Sequence, residues 1–479
     1  MNLFNRIGGK AQPSLTGKWI ENINPATGSV ISHIPRSDLN DVDKAVCIAQ
    51  GAFDHWKKKG FHERADVLDE IADRIELRLE DFAAAESMDT GKPLSLARKV
   101  DVPRSIANFR FFAGAIRHDQ TGCHMMKEAL NYTLRKPMGV VALITPWNLP
   151  LYLLSWKTAP ALAMGNTIVA KPSEMTPTTA TLLAEVISDI GAPEGIFNVV
   201  HGYGPEVGSP LIDHPGVKAI SFTGGTATGA KVAALAAPQF KKLSLELGGK
   251  NASVVFADCD FEKTVQGVAR AAFLNQGQIC LCGSRILVER SLYTRFTEAL
   301  VKKVQSLKLG DPFDESNDLG ALISHSHRQK VEGYIRRAVT DGGVVLCGGE
   351  RPRVESDLEG GAWLQPTLIA DLHVQNSAAV EEIFGPVATI HPFDSDEDAI
   401  TIANAVEYGL SASVWTSDLQ RAHRVSAALD TGMVWVNTWL CRDLRVPFGG
   451  VKSSGVGREG GRYSLEFFSE AQNICVHLG

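Results

Sequence analysis

The chain has 479 residues, enough for about three structural units at roughly 150 residues each. Hydrophobic residues make up 44% and charged residues 21%, an ordinary globular composition that excludes disordered and fibrous classes. Forty-eight basic side chains against 54 acidic ones leave a formal charge of -6, so nothing prepares the surface for nucleic acid. The eight cysteines (47, 123, 259, 280, 282, 347, 441 and 475) show neither a disulfide framework nor a paired zinc spacing, which suits a reducing, cytoplasmic setting. The opening MNLFNRIGGK lacks the apolar region of a signal peptide. The most apolar stretch, 139–170, is broken by Pro146, Asn148, Pro150, Lys157 and Pro160, so no membrane span and no membrane partner are expected.

In chain order, the first predicted elements are helices. Val42, Ala45, Val46 and Ala49, then Leu68, Ile71, Ala72, Ile75 and Leu79, recur at three- and four-residue steps. From 139 short β-branched runs alternate with helical segments: VVALITP, LYLLSWKTAPALAMG, NTIVAKPSE, TATLLAEVISDIG, IFNVVHG, KAISFTGG, TGAKVAALAA and KKLSLEL. Continuous apolar runs bounded by Gly and Pro read as strands of a parallel sheet covered on both faces. The order predicts a doubly wound α/β domain, with its ligand beyond the carboxyl ends of the strands. From about 249 the strands NASVVFA and SRILVER begin a second α/β domain, and the ending NICVHL reads as a strand in search of a partner sheet.

The one literal GxGxxG, Gly455 to Gly460, does not open a helix inside a βαβ unit, because only 19 residues follow it. The stretch FTGGTATG (222–229) is better placed, between a strand and a helix whose N-terminus could hold a diphosphate. By itself it could equally be an ordinary turn. Lys171 and Glu174 end another predicted strand, where a carboxylate could accept from a ribose hydroxyl and repel a 2′-phosphate, or simply be solvated. Cys280, in the polar loop NQGQICLCGSR, could be a nucleophile, with Cys282 its rival; C-x-C lacks the second pair that a metal site would need. Glu246 in LELGGKN, 34 residues upstream, could activate water.

Together these segments resemble the aldehyde dehydrogenase family. The matches are ITPWNLPL (144–151), AKPSE (170–174), FTGG (222–225), LELGGKN (245–251), NQGQICL (275–281), EEIFGP (381–386) and PFGGVKSSGVGRE (447–459). Within it the likeness is greatest to the dehydrogenases of 2-aminomuconate and 2-hydroxymuconate semialdehyde, carried by DVPRSIANFRFFA, WNLPLYLLSWK, ICLCGSR, WVNTWLCRDL and NICVHL. One departure is FTGG where the family commonly has FTGS, which removes any hydroxyl contact at Gly225.

The resemblance implies a Rossmann-like NAD-binding domain (1–115 and 138–248), a second α/β catalytic domain (249–450) and a small β oligomerisation element (116–137 and 451–479). It implies NAD as cofactor, preferred over NADP, no metal, and a homo-dimer or homo-tetramer. Cys280 would attack the aldehyde, Asn148 and the Cys280 N–H would hold the oxyanion, and Glu246 would activate water against the thioester. Cofactor contacts would come from Ile144, Thr145, Trp147, Lys171, Ser173, Glu174 and Gly204. Phe222, Thr223, Gly224, Gly225 and Thr228 would surround the diphosphate, and Leu247, Glu382 and Phe384 would lie toward the nicotinamide. Arg104 and Arg442 would bind the carboxylate of a muconate-type semialdehyde. Rival readings are a dehydrogenase of an aliphatic, aromatic or betaine-type aldehyde, a cysteine hydrolase of esters or thioesters, a coenzyme A-acylating enzyme, and a non-catalytic structural protein. Intact Cys280, Glu246 and Asn148 weigh against the last, and the general base weighs against acyl transfer to coenzyme A.

Overall fold

The apolar runs Val140–Ile144 and Thr167–Lys171 are buried at every position, as strands covered on both faces must be. The structure, a computed structural model, describes residues 2–479. Five parallel strands lie side by side in the order Phe197–Val199, Thr167–Lys171, Val140–Ile144, Val217–Thr223 and Lys242–Glu246. Chain order reverses between Val140–Ile144 and Val217–Thr223, so a crevice opens beyond the carboxyl ends of these two strands. Asn5–Ile7 and Gly455–Val456 add antiparallel strands on either side. The glycine-rich run Gly455–Gly460 therefore begins as part of a sheet edge. Helices Phe61–Leu77, Val102–Arg117 and Pro150–Ala163 pack together on one face, burying Leu68, Ile71, Phe109, Phe112 and Trp156.

A second sheet runs in the order Val344–Cys347, Thr367–Ala370, Val387–Phe393, Arg285–Glu289, Ala252–Val255, Ser411–Trp415 and Met433–Val436, antiparallel only at the first pairing. The chain leaves the first sheet at Glu246 and enters the second at Ala252, so Leu247–Asn251 joins a carboxyl end to an amino end. The opposed ends enclose the site.

A third, three-stranded sheet pairs Ala129–Lys136 with Cys123–Met125 and with Glu470–His477. The terminal strand thus finds its partner within its own chain. Of the segment 451–479, expected to serve oligomerisation or bridging, Glu470–His477 joins this sheet. Val451–Lys452 pairs with Tyr408–Gly409, Gly455–Val456 with the first sheet, and helix Gly461–Phe467 packs on Pro150–Ala163. Among the described residues no helix is long and apolar enough to cross a membrane.

One turn is conformationally costly. Asn275, Gln276 and Gly277, just before the strand Arg285–Glu289, have φ of 54°, 56° and 68°. For the two non-glycine residues this costs about 1–2 kcal/mol each. Outside contacts hold the turn: Gln276 Nε2 donates to Ala321 O at 3.0 Å, and Ile323 N–H donates to Gln278 Oε1 at 3.1 Å. A Cβ on Gly277 would stand 2.1 Å from Gly385 O. Gly277→Ala should therefore lower the unfolding free energy by about 1–3 kcal/mol. Gly51→Ala, in an exposed helical position with nothing within 4 Å, should be neutral or stabilising by up to about 1 kcal/mol. Denaturant titration of the two variants checks both signs.

Candidate active site

The crevice predicted from strand order is a cavity of about 460 Å³. Ile144, Thr145 and Trp147 line it from the end of one central strand, and Phe222, Thr223, Gly224 and Gly225 from the end of the other. Lys171, Ser173, Glu174, Gly204 and Thr228 complete the predicted set around it. Helix Thr226–Ala236 points its N-terminus into this space, and its N-cap, Gly225, offers no side chain to the first-turn N–H groups. The Thr226 and Ala227 N–H groups are left for an anion, as a dinucleotide diphosphate requires, while Thr228 N–H donates to Gly225 O at 3.0 Å. Lys171 Nζ and Glu174 Oε2 pair at 3.0 Å on the same wall. The residues present fit a dinucleotide. Ile212, Lys231, Val232 and Leu235 also line the cavity and were not singled out from the sequence.

Trp147, Thr223, Gly224 and Gly225 continue into a second cavity of about 230 Å³, lined also by Leu247, Glu382, Phe384, Asn148 and Cys280. Trp147 packs edge-on against Phe384 and His327 at ring separations of 5.2 and 5.3 Å. Phe384 holds a positive φ of 62°, and His327 Nε2–H donates to its carbonyl at 2.6 Å. Burial depresses the His327 pKa to about 4, so the ring is neutral. The glycine pair after Glu246 makes room for Glu382: a Cβ on Gly248 would lie 2.3 Å from its carboxylate, and Gly249 N–H donates to Glu382 Oε1 at 2.9 Å.

The two cysteines separate by environment. Cys282 is buried in the apolar cluster of the second sheet, whereas Cys280 is half-buried at the cavity. Asn251 Nδ2 clamps both carbonyls, at 2.7 Å to Cys280 O and 3.0 Å to Cys282 O. Burial pushes the Cys280 thiol pKa up, and the carboxylates of Glu382 and Glu246 push it further. Asn148, almost fully buried, donates from Nδ2 to Gln278 O at 2.8 Å, which ties the predicted oxyanion donor to the Cys280 loop.

Glu246, the last residue of its strand, is buried with neither carboxylate oxygen hydrogen-bonded. Burial, then the nearby Glu459, raise its pKa well above the usual carboxylate range, against the opposing pull of Lys157, Arg458 and Arg442. Lys157 Nζ donates to Glu459 Oε1 at 2.6 Å and to Ser221 Oγ at 2.8 Å. This buried pair was not singled out from the sequence. Among the described residues no group of His, Cys, Asp or Glu could hold a metal ion.

A narrower, mostly apolar pocket meets Cys280 from the other side, lined by Leu96, Leu149, Tyr152, Leu281, Phe448 and Arg442. Arg442 Nη1 donates to Tyr152 Oη at 2.7 Å, and its guanidinium stacks 4.0 Å above the Phe448 ring. Arg104 stands one step back, 5.8 Å over the Tyr152 ring and outside the pocket lining. The neighbouring acid, Asp443, is bound by Arg445. Tyr152 thus links both predicted arginines, a role no spacing in the sequence announced.

The aldehyde dehydrogenase family model matches residues 12–474. The 2-aminomuconic semialdehyde dehydrogenase of Danio rerio is 49% identical over 478 residues, covering 99% of this chain and 98% of that protein. The 2-hydroxymuconic semialdehyde dehydrogenase of Pseudomonas sp. (strain CF600) is 47% identical over 479 residues, covering 98% of this chain and 99% of that protein. An aldehyde dehydrogenase of Bacillus cereus, solved as its NAD+ complex, superposes with a TM-score of 0.97 at 37% identity, covering 100% of this chain and 97% of that one. The chain belongs to the aldehyde dehydrogenase family.

Proposed function

We propose that this protein oxidises the aldehyde of a muconic-type semialdehyde, one bearing a carboxylate remote from the aldehyde, to the carboxylic acid, with NAD as cofactor. The observation that carries the reading is the position of Cys280, which lines both the cavity of Glu382 and Phe384 and the apolar pocket that holds Arg442. An aldehyde entering through the pocket would meet the sulfur with the cavity of Glu382 and Phe384, which would hold the hydride acceptor, on the opposite side.

In this mechanism the Cys280 thiol gives up its proton to water, the thiolate Sγ bonds to the carbonyl carbon, and the oxygen takes up negative charge. The Asn148 amide and the Cys280 N–H hold that charge, at about 3–4 kcal/mol per donor. NAD, when bound, supplies the hydride acceptor, and the carbon is left as a thioester on Cys280. Glu246 then draws a proton from water, whose oxygen attacks the thioester and releases the acid. Arg442, desolvated against aromatic rings and free of an acidic partner, is suited to a carboxylate by its planar fork of donors. We assign the first sheet to cofactor binding and the second to catalysis. The exposed three-stranded sheet, with Met125, Leu134 and Val476 facing outward, supports assembly into a homo-dimer or homo-tetramer. Eight free cysteines support a cytoplasmic location.

Cys280→Ser should abolish turnover and leave NAD affinity unchanged, whereas Cys282→Ser should keep turning over. Measuring NADH formation and NAD binding on both checks the assignment, and exchanged phenotypes would reverse it.

The rate of thioester hydrolysis should fall as pH drops through the raised pKa of Glu246, giving an acid limb above the usual carboxylate range. Glu459→Gln removes a like charge, so the limb should move to lower pH. Glu246→Gln should cut steady turnover by roughly 10²- to 10⁴-fold while preserving one burst of NADH. A pH profile unmoved by Glu459→Gln would uncouple the two carboxylates.

Arg442→Ala should reduce kcat/KM on carboxylate-bearing semialdehydes by roughly 30- to 1000-fold, equivalent to about 2–4 kcal/mol, and spare a neutral aldehyde. Tyr152→Phe should reproduce part of that selective loss. Equal losses on charged and neutral aldehydes would return substrate choice to the open question.

A further inference from the structure

Beneath the Asn148 loop lies an ionic cluster that the reaction above does not use. Lys92 is wholly buried, and its Nζ donates to Asp101 Oδ2 at 2.7 Å and lies 3.5 Å from Glu86 Oε1. A third contact runs to the backbone carbonyl of Asn148, at 3.0 Å. Glu86 Oε2 meets the Leu151 N–H at 3.4 Å, in the first turn of helix Pro150–Ala163. The cluster therefore grips both ends of the short segment that carries Asn148. Asp101 is delivered by a single π-turn, Ala97–Asp101, an irregularity that recurs at functional sites.

Such a cluster is weak evidence of stability, since desolvating three charges offsets their attraction. What it provides is direction. The Asn148 carbonyl that Lys92 holds also accepts from Asn275 Nδ2 at 3.3 Å, and the Asn148 amide donates to Gln278 O at 2.8 Å. One ammonium thus anchors the backbone from which the amide extends, and that backbone touches the left-handed turn before Cys280.

We propose that Lys92, held by Asp101 and Glu86, is a positioning residue that fixes the Asn148 amide where the oxyanion develops. The proposal rests on the reading of Asn148 as an oxyanion donor. A displacement of about 1 Å in such a group can cost roughly 10²-fold in rate.

A double-mutant cycle tests it, with Lys92→Met, Asn148→Ala and the combination, read by two single-turnover measurements. The NADH burst requires the oxyanion, whereas alkylation of Cys280 by iodoacetamide does not. Lys92→Met should slow the burst by roughly 10- to 100-fold, with iodoacetamide alkylation and NAD affinity unchanged. In the Asn148→Ala background the same change should cost less than about threefold, because the two residues act through one contact. Multiplying losses, or alkylation that slows in parallel, would overturn the proposal and place Lys92 in general support of the loop. Wild-type burst kinetics in Asn148→Ala would instead refute the oxyanion assignment, a result that the single variant separates from the cycle. Should Lys92→Met fail to fold, Lys92→Met/Asp101→Asn removes the opposite charge with it and carries the same expectation.

Discussion

Cys280 follows a turn that the turn's own residues do not favour. Two consecutive non-glycine residues with positive φ precede Cys280, and their side-chain amides are bonded to segments far away in sequence. Left alone, such a turn would relax toward ordinary backbone angles. It persists because Ala321, Ile323, Gly385 and the Asn148 segment surround it. The geometry of the thiol is therefore a property of the closed interface between two sheets and of no single element. This gives a physical reason for the architecture: a carboxyl end and an amino end face each other across Leu247–Asn251, and each sheet supplies what the other's loops lack.

Electrostatics at that junction follow from the same enclosure. Burial is the largest cause of the upward pKa shifts of Glu246, Glu382 and Cys280. Glu382 and Glu246 also raise Cys280, since like charges in a low dielectric repel strongly. At Glu246, Lys157, Arg458 and Arg442 are the counterweights, set against the further upward push of Glu459.

The sheets were readable because their determinants are local. VVALI, TIVAK and KAISFT are continuous apolar runs, and both the parallel order and the crevice follow from their alternation with helices. The residues that line the crevice cluster at strand ends, where motif and position coincide. Cys280 and Cys282, two residues apart in one loop, could not be told apart by spacing. Only the fold buries one in an apolar cluster and turns the other to a cavity. Lys157 was visible as an interruption of an apolar run, but its meaning depends on Glu459, about 300 residues later. A charge inside an apolar helix was a signal of a buried partner that composition alone could not locate. Lys92 carried no local sign, since its three partners converge only after the helices pack.

The upward shift of the Cys280 thiol has a consequence outside turnover. Oxidation of a cysteine by peroxide follows its thiolate character, so a protonated thiol is a slow target. Burial and the carboxylates of Glu382 and Glu246 disfavour the thiolate at Cys280, with Arg442 pulling the other way. The crowding that readies the site for catalysis thus also shelters its sulfur while it waits, a chemical quiescence written into the same three side chains.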